Sequence, residues 1–143
     1  MSSYILIKGA TVVTMNESND IIQNGDILIE NDTIKSVGTS IPDELPESLK
    51  VISGKNKVVI PGLINLHNHA AMTLFRSFAD DLPLQEWLQT KIFPAEERLT
   101  AEDVYWGSSL AILEMLKGGT TTFVDMYFFM DEVAKACCNS GIR

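Results

Sequence analysis

The pattern of hydrophobic and polar positions divides the chain into two parts. From Tyr4 to Ile60, short stretches rich in Ile, Val and Thr are separated by turn residues, which is typical of β-strands. From residue 61 onward, strand-like runs alternate with segments in which apolar residues recur every three or four positions, as in amphipathic helices. The pattern therefore predicts a β-rich first part, residues 1–60, followed by an α/β part, residues 61–143.

Turn residues define the strands of the first part. The predicted strands are residues 4–15, 26–30, 33–37, 51–52 and 57–60. Asn24-Gly25 is a turn signal, and Asn31-Asp32 is the expected two-residue loop of a hairpin. The last two strands are expected to pair with each other around Gly54. Residues 38–50 contain two prolines and the acidic residues Asp43, Glu44 and Glu47, which indicates an exposed loop.

The second part reads as strands that alternate with helices. The predicted strands begin at Leu63, after a Pro-Gly break, and at Thr120, and Ile142-Arg143 is the expected start of a third. The predicted helices are residues 72–79, 84–92, 100–118 and 131–139, of which the second is expected to end at Phe93-Pro94. Thr100 is a good N-cap, and the following apolar face consists of Val104, Ser108, Ala111, Ile112 and Met115.

The alternation of strands and helices is the opening of a parallel β/α array. Apolar residues on both faces of the strand that begins at Leu63 predict a strand covered on both sides, as in parallel sheets with flanking helices. A closed β/α barrel needs about 250 residues, and this chain has 143. We therefore expect the chain to be the N-terminal part of a longer protein.

Composition narrows the class of protein. With 45% hydrophobic and 21% charged residues, the chain is globular rather than disordered. A net charge of -8 argues against a nucleic-acid partner, because phosphates require a basic surface. No membrane span or signal pattern is present in the sequence. Cys137 and Cys138 are neighbours on a predicted helix, so we expect free thiols, no catalytic role for them and a cytoplasmic location.

The strongest chemical signal is the pair His67 and His69. Alternate residues of a strand point to the same face, and these two histidines follow an apolar run at its carboxyl end. In parallel α/β folds the chemistry collects at that end of the strands. Two neutral imidazoles could supply half of a tetrahedral zinc site, although a single histidine there could also be a simple structural residue. These are the only two histidines of the chain, so they leave a tetrahedral site short of ligands.

Two long stretches resemble the amidohydrolase superfamily. They are residues 25–38, GDILIENDTIKSVG, and residues 59–69, VIPGLINLHNH. Further segments resemble the branch that contains 5-methylthioadenosine/S-adenosylhomocysteine deaminases and chlorohydrolase-like relatives. These segments are AMTLFR (71–76), DDLPLQEWL (80–88), FPAEERLT (93–100) and GTTTFVDMY (119–127). Together they extend over nearly the whole chain.

The resemblance implies an α/β fold, namely the first strands of a (β/α)8 metal-dependent hydrolase barrel preceded by part of a small β-sandwich. It implies that His67 and His69 are metal ligands and that each subunit binds one divalent ion, zinc. The other ligands and the catalytic acid and base are expected downstream of Arg143. By the same resemblance Asp125 is structural rather than a ligand. Arg76 is expected to form a local ion pair with Asp80 or Asp81.

The implied activity is zinc-dependent hydrolytic deamination of an adenine nucleoside to the inosyl product and ammonia. Glu96 matches the family glutamate that binds the ribose hydroxyls, although its spacing alone favours a solvated residue beside Glu97. Trp87 could form a wall of the substrate pocket or belong to the core. The Cys-x-x-Cys signature of the other zinc deaminase fold is missing, which excludes that type.

Two alternatives stay open. One is another hydrolase of the same branch, acting on guanine, cytosine or a chlorinated triazine, and the other is a non-catalytic scaffold. The expected partner is a small-molecule nucleoside, with no nucleic acid and no membrane, and a homo-oligomer is possible. The 143-residue chain alone is expected to be inactive because its metal site would be incomplete.

Overall fold

The computed structural model describes residues 2–41 and 48–143. The acidic residues of the predicted loop, Asp43, Glu44 and Glu47, lie outside the described residues. The chain divides into two compact units, Met1–Pro61 and Gly62–Arg143. In the described ranges, no helix is both long enough and apolar enough to cross a membrane.

The first unit is a mixed β-sheet built around its first strand. The strands are β1 (Tyr4–Val13), β2 (Ile21–Glu30), β3 (Thr33–Gly38), β4 (Leu49–Ser53) and β5 (Val58–Val59). Strands β1 and β2 are antiparallel, as are β2 and β3, and the hairpin predicted at Asn31-Asp32 is confirmed. Strands β4 and β5 both run parallel to β1.

Two sequence predictions for this unit are wrong. Asn24-Gly25 does not end a strand, because β2 continues through it. Asn24 instead has a φ of 53°, and the pairing with β1 shifts there by one residue, which makes this a β-bulge. The expected hairpin around Gly54 is not formed either, because β4 and β5 each pair with β1 rather than with each other. The turn residues around Gly54 could not reveal that β4 and β5 would each pair with the longer strand β1.

A small apolar cluster holds the first unit together. Ala10, Val12 and Ile27 are buried, and Ile7, Ile22, Ile29 and Val59 of strands β1, β2 and β5 pack against them. Gly54 lies so close to β1 that an added Cβ would stand 2.7 Å from the Cβ of Ala10. The close approach explains why a glycine occupies this position.

The second unit alternates strands and helices. It contains β6 (Leu63–Asn68), a 3-10 helix (Ala70–Phe75), α1 (Leu84–Trp87), a π-helical turn (Leu88–Ile92), α2 (Phe93–Glu96), α3 (Ala101–Lys117), β7 (Thr120–Asp125) and α4 (Met130–Ser140). Strands β6 and β7 are parallel neighbours. The expected third strand at Ile142-Arg143 is present only as two backbone hydrogen bonds, from Phe123 N–H to Arg143 O and from Arg143 N–H to Thr121 O.

The helices largely follow the sequence pattern. Thr100 and Asp103 form a capping box at the start of α3, as the Thr100 prediction requires, and four of the five residues of the predicted face are buried. The predicted end of a helix at Phe93-Pro94 is wrong, because helical structure continues to Glu96. A π turn directly before Phe93 alters the hydrogen-bond pattern there, and proline is tolerated in the first turn of α2.

The apolar faces of the two parallel strands are only partly covered. Leu63, Ile64 and Leu66 of β6 are 50%, 64% and 74% exposed, and Val124 of β7 is 54% exposed. The expectation that β6 is covered on both sides is therefore wrong for this chain. In the described part of the unit, the buried residues lie mainly between the 3-10 helix, α3 and α4, in clusters around Val104 and Ile112.

Gly107 fixes the distance between α3 and the 3-10 helix that follows His69. A Cβ at this position would lie 2.8 Å from the Ala71 carbonyl oxygen and 3.0 Å from Leu74 Cγ. We expect Gly107→Ala to lower the free energy of unfolding by about 1–3 kcal/mol, because the helices cannot both keep their positions. Urea denaturation of the chain measures this, with Gly118→Ala as control, since its Cβ would meet nothing closer than 3.3 Å. Equal stability of the two variants would contradict the prediction.

Candidate functional site

His67 and His69 lie side by side at the carboxyl end of β6. Their ring centroids are 5.2 Å apart, and the rings are nearly perpendicular, with an interplanar angle of 81°. His67 is exposed and His69 is half-buried. The two-residue period of a strand accounts for this arrangement, since it projects both side chains from the same face. The rings are close enough for one small ion to contact both.

His69 is held in one orientation by a hydrogen bond to the backbone. Its Nδ1 lies 2.7 Å from the carbonyl oxygen of Met126, which directly follows β7. A carbonyl can only accept, so Nδ1 must donate its proton, and in the neutral ring the lone pair is then on Nε2. Metal-binding histidines commonly have this arrangement, in which the second ring nitrogen bonds to a carbonyl or carboxylate. No local pattern in the sequence pointed to Met126.

A cavity of about 580 Å³ opens beside His69. Its polar groups come from His69, Glu96, Trp87 and Tyr127. The rest of its lining is apolar, from Met72, Leu84, Leu88, Ile92, Phe93, Met126 and Phe128. A mostly apolar cavity of this size with a few polar groups is typical of small-molecule sites. Of the three residues predicted for the site, His69 and Glu96 line this cavity. His67 does not line it, although its ring lies 5.2 Å from that of His69.

Glu96 is the last residue of α2 and is half-buried. After the π turn and α2, Glu96 lines this cavity and also a neighbouring one, whereas Glu97 lines only the neighbouring cavity. The sequence alone favoured a solvated residue here, because the spacing of Glu96 does not reveal the π turn. Trp87 also lines the cavity, so it belongs to the pocket wall.

Tyr127 is a residue of this site that the sequence analysis did not single out. Its ring lies 6.5 Å from that of His69, and its hydroxyl is buried with no hydrogen-bond partner in residues 2–41 and 48–143. Burial raises the pKa of the Tyr127 hydroxyl, and the nearby Glu96 and Asp125 carboxylates raise that pKa further. Tyr127 is therefore a neutral hydrogen-bond donor at neutral pH.

The donor set fits a zinc ion in part. Two imidazoles at one edge, one with its Nε2 lone pair free, are half of the four ligands of a tetrahedral site. The described ranges contain no group of three or more His, Cys, Asp or Glu side chains arranged to hold a metal. The remaining ligands would therefore have to come from outside these residues.

Two other polar groups lie apart from this chemistry. Cys137 packs in the core, and burial raises the pKa of its thiol, as do Cys138 and Asp125, which disfavours the reactive thiolate.

The expected pairing of Arg76 with Asp80 or Asp81 is wrong. Arg76 instead forms a two-pronged ion pair with Glu114 of α3, at 3.0 and 2.7 Å. The 3-10 helix packs on α3, which brings Glu114 nearer than the sequence neighbours.

Sequence comparison relates the chain to known enzymes. The sequence model of the amidohydrolase family matches residues 58–143. A 5-methylthioadenosine/S-adenosylhomocysteine deaminase of Dictyoglomus turgidum is 59% identical over 140 residues, which cover 97% of this chain and 32% of the relative. A 5'-deoxyadenosine deaminase of Methanosarcina mazei is 54% identical over 139 residues, with the same coverage of 97% and 32%. The chain thus spans about a third of the length of the curated relatives it matches.

Solved structures show the same similarity. An adenosine deaminase from Xanthomonas campestris with bound zinc superimposes with a TM-score of 0.87 at 35% identity, over 97% of this chain and 32% of that one. The atrazine chlorohydrolase from Arthrobacter aurescens, complexed with zinc, superimposes with a TM-score of 0.86 at 26% identity, over 97% and 34%. These two neighbours differ in the reaction that their names describe.

Proposed function

Because the chain belongs to the amidohydrolase family, we propose that it forms part of a longer, zinc-dependent deaminase of adenine nucleosides. The substrates we propose are 5-methylthioadenosine and S-adenosylhomocysteine, and the products are the inosyl compound and ammonia. The observation that supports this most strongly is the single cavity of about 580 Å³ that both His69 and Glu96 line. We call a polypeptide that contains this chain and the remaining metal ligands the whole enzyme.

The proposed architecture is a (β/α)8 barrel that begins with β6 and β7, preceded by part of a β-sandwich formed by residues 1–60. Parallel pairing of β6 and β7 and the intervening helices support the barrel. The exposed apolar side chains of β6, such as Ile64 and Leu66, support it as well, because further strands and helices of a barrel would cover them. The division into compact units at residues 61 and 62 supports two domains.

His67 and His69 are the proposed ligands of one zinc ion per subunit. Bound zinc would lower the pKa of a water molecule to near 7 and so supply hydroxide at neutral pH. The chain's own contribution is to orient His69 through Met126 and to hold His67 beside it. The mostly apolar cavity wall would exclude water from the purine ring. The catalytic acid and base would lie in later parts of the whole enzyme.

Glu96 is the proposed substrate-binding residue. A carboxylate can accept hydrogen bonds from two neighbouring hydroxyls, which matches the 2′ and 3′ hydroxyls of a ribose. With His69 lining the same cavity, a nucleoside held at Glu96 by its sugar would have its base directed toward the proposed metal site. Trp87 and Phe93 supply flat aromatic surface along the cavity.

One alternative function also has support. The structural similarity to a chlorohydrolase, at a TM-score of 0.86, is compatible with a hydrolase that removes chloride from a triazine. A triazine has no ribose, however, and would make no use of Glu96.

A scaffold without activity would have no need for His69 to be fixed in a ligand-ready orientation. The cytoplasmic location and the oligomeric state stay predictions.

An activity assay tests the proposal. We expect the purified whole enzyme with zinc to release ammonia from 5-methylthioadenosine at least about 100-fold faster than chloride from a chlorotriazine or ammonia from guanine, because only the nucleoside offers a diol to Glu96. The 143-residue chain serves as control and is expected to show negligible turnover. Faster turnover of guanine or the triazine would assign one of the alternatives, and a metal-free, inactive protein would indicate a scaffold.

A further inference from the structure

Asp125 ends β7 and uses one carboxylate oxygen to hold two separate pieces of backbone. Its Oδ1 accepts a hydrogen bond from the N–H of Ala70 at 3.1 Å and another from the N–H of Met126 at 3.0 Å. Ala70 directly follows His69, and Met126 is the residue whose carbonyl accepts the hydrogen bond from the His69 ring. The Asp125 carboxylate therefore accepts hydrogen bonds from the residue that follows His69 and from the residue to which the His69 ring is hydrogen-bonded.

The hydrogen bond from His69 depends on the position of the Met126 carbonyl. The Met126 side chain is 73% exposed, so packing of that side chain does not fix its backbone. The hydrogen bond from the Met126 N–H to Asp125 Oδ1 restrains the peptide group next to the one that carries this carbonyl. The Met126 N–H and the Met126 carbonyl belong to adjacent peptide groups joined at the Met126 Cα, so displacement of this residue would release Nδ1 and allow the His69 ring to rotate or change its tautomer.

Packing alone would not require an oxygen acceptor at this position. The second oxygen, Oδ2, is buried and has no hydrogen-bond partner within residues 2–41 and 48–143. A buried polar atom without a partner costs free energy, and an apolar side chain of similar size would avoid that cost. The need for an acceptor at Oδ1 accounts for the residue better than packing does.

We propose that Asp125 is a positioning residue that holds the His69 imidazole as its Nδ1–H tautomer, with Nε2 directed to a divalent cation. The proposal rests on the proposed metal-binding function of His69. It assigns Asp125 no direct contact with the metal. The side chain acts only through its hydrogen bonds with the N–H groups of Met126 and Ala70.

Cobalt binding by the whole enzyme tests this role, because Co²⁺ absorbs visible light in a manner that reports its ligand geometry. We expect Asp125→Ala to weaken Co²⁺ affinity by about 10- to 100-fold and to change the visible spectrum, since such outer partners typically have effects of this size. Asp125→Asn is expected to keep both near wild type, because its amide oxygen can accept the same two hydrogen bonds. Gly54→Ala, whose added Cβ would stand 2.7 Å from the Cβ of Ala10 in the first unit, serves as a control that loses stability without a change in spectrum.

A second measurement needs no metal. The chain contains only two histidines, so the ring ¹⁵N signals of His67 and His69 can be separated by NMR in the 143-residue chain. We expect His69 to be an Nδ1–H tautomer in the wild type and in Asp125→Asn. An Nε2–H tautomer in the wild type would overturn the proposal even if Asp125→Ala fails to fold.

The outcomes also separate this inference from the proposed function. Unchanged Co²⁺ affinity and spectrum in Asp125→Ala, together with strong loss of binding in His69→Ala, would refute the role of Asp125 alone. Unchanged Co²⁺ binding in His69→Ala would refute the metal site itself. Loss in both alanine variants with recovery in Asp125→Asn is the result that the proposal requires.

Discussion

Replacement of His67 or His69 with alanine should reduce turnover of the whole enzyme by on the order of 1000-fold or more. A catalytic metal supplies several kcal/mol of transition-state stabilisation, and each 1.4 kcal/mol corresponds to about a factor of ten in rate. The two rings are 5.2 Å apart, so both would contact the same ion, and loss of either removes one of its few protein ligands. Ammonia release and zinc content of the purified variants measure this.

Asn68 provides the matched control for both histidines. It lies between them on β6 and points to the opposite face, where its Nδ2 contacts the sulfur of Met115. Asn68→Ala should therefore retain zinc and most of the activity, although it changes the same strand. If the histidine variants kept a full complement of zinc and near-normal turnover, the proposed metal site would be wrong.

The second large effect is expected at Glu96. Glu96→Gln should lower kcat/KM for 5-methylthioadenosine by about 10- to 150-fold, because hydrogen bonds to a charged group contribute about 1.5–3 kcal/mol. The effect should be much smaller for a 2′,3′-dideoxy analogue, which has no hydroxyls for the carboxylate to bind. Steady-state kinetics with both substrates measures the difference.

Glu97→Gln is the control for that variant. Glu97 is adjacent in sequence and is exposed, and it does not line the cavity beside His69. It should therefore leave kcat/KM within about twofold, as is usual for surface substitutions away from a site. A loss in Glu96→Gln that is equally large for both substrates would contradict the ribose-binding role and indicate a general defect of the pocket.

The parts of the fold that depend on local chemistry were accessible from sequence. The two-residue alternation predicted that His67 and His69 share a face, and the structure places their rings together. Thr100 is an N-cap because its side chain bonds to an amide only three residues away, at Asp103. Gly141 ends α4 in the left-handed conformation, with a φ of 79°, in a manner that glycine favours.

The predictions that failed concern choices between distant partners. Strand β4 pairs with β1 although β5 is nearer in sequence, and Arg76 bonds to Glu114 although Asp80 and Asp81 are closer along the chain. In each case the nearer partner satisfies local rules, but packing of the whole unit brings a better one into range. The spacing around Glu96 favoured a solvated residue for a similar reason, because spacing does not reveal the π turn after which Glu96 lines the cavity beside His69.

By itself the sequence determined the order of strands and helices, most of their ends and the histidine pair, because these depend on spacing over a few residues. Only the tertiary structure decided what surrounds that pair. Met126, whose carbonyl fixes His69, is 57 residues away in the chain, and Ala70 and Asp125 are 55 residues apart. Such contacts form when strands β6 and β7 align in one sheet, and no local pattern encodes which backbone groups then meet.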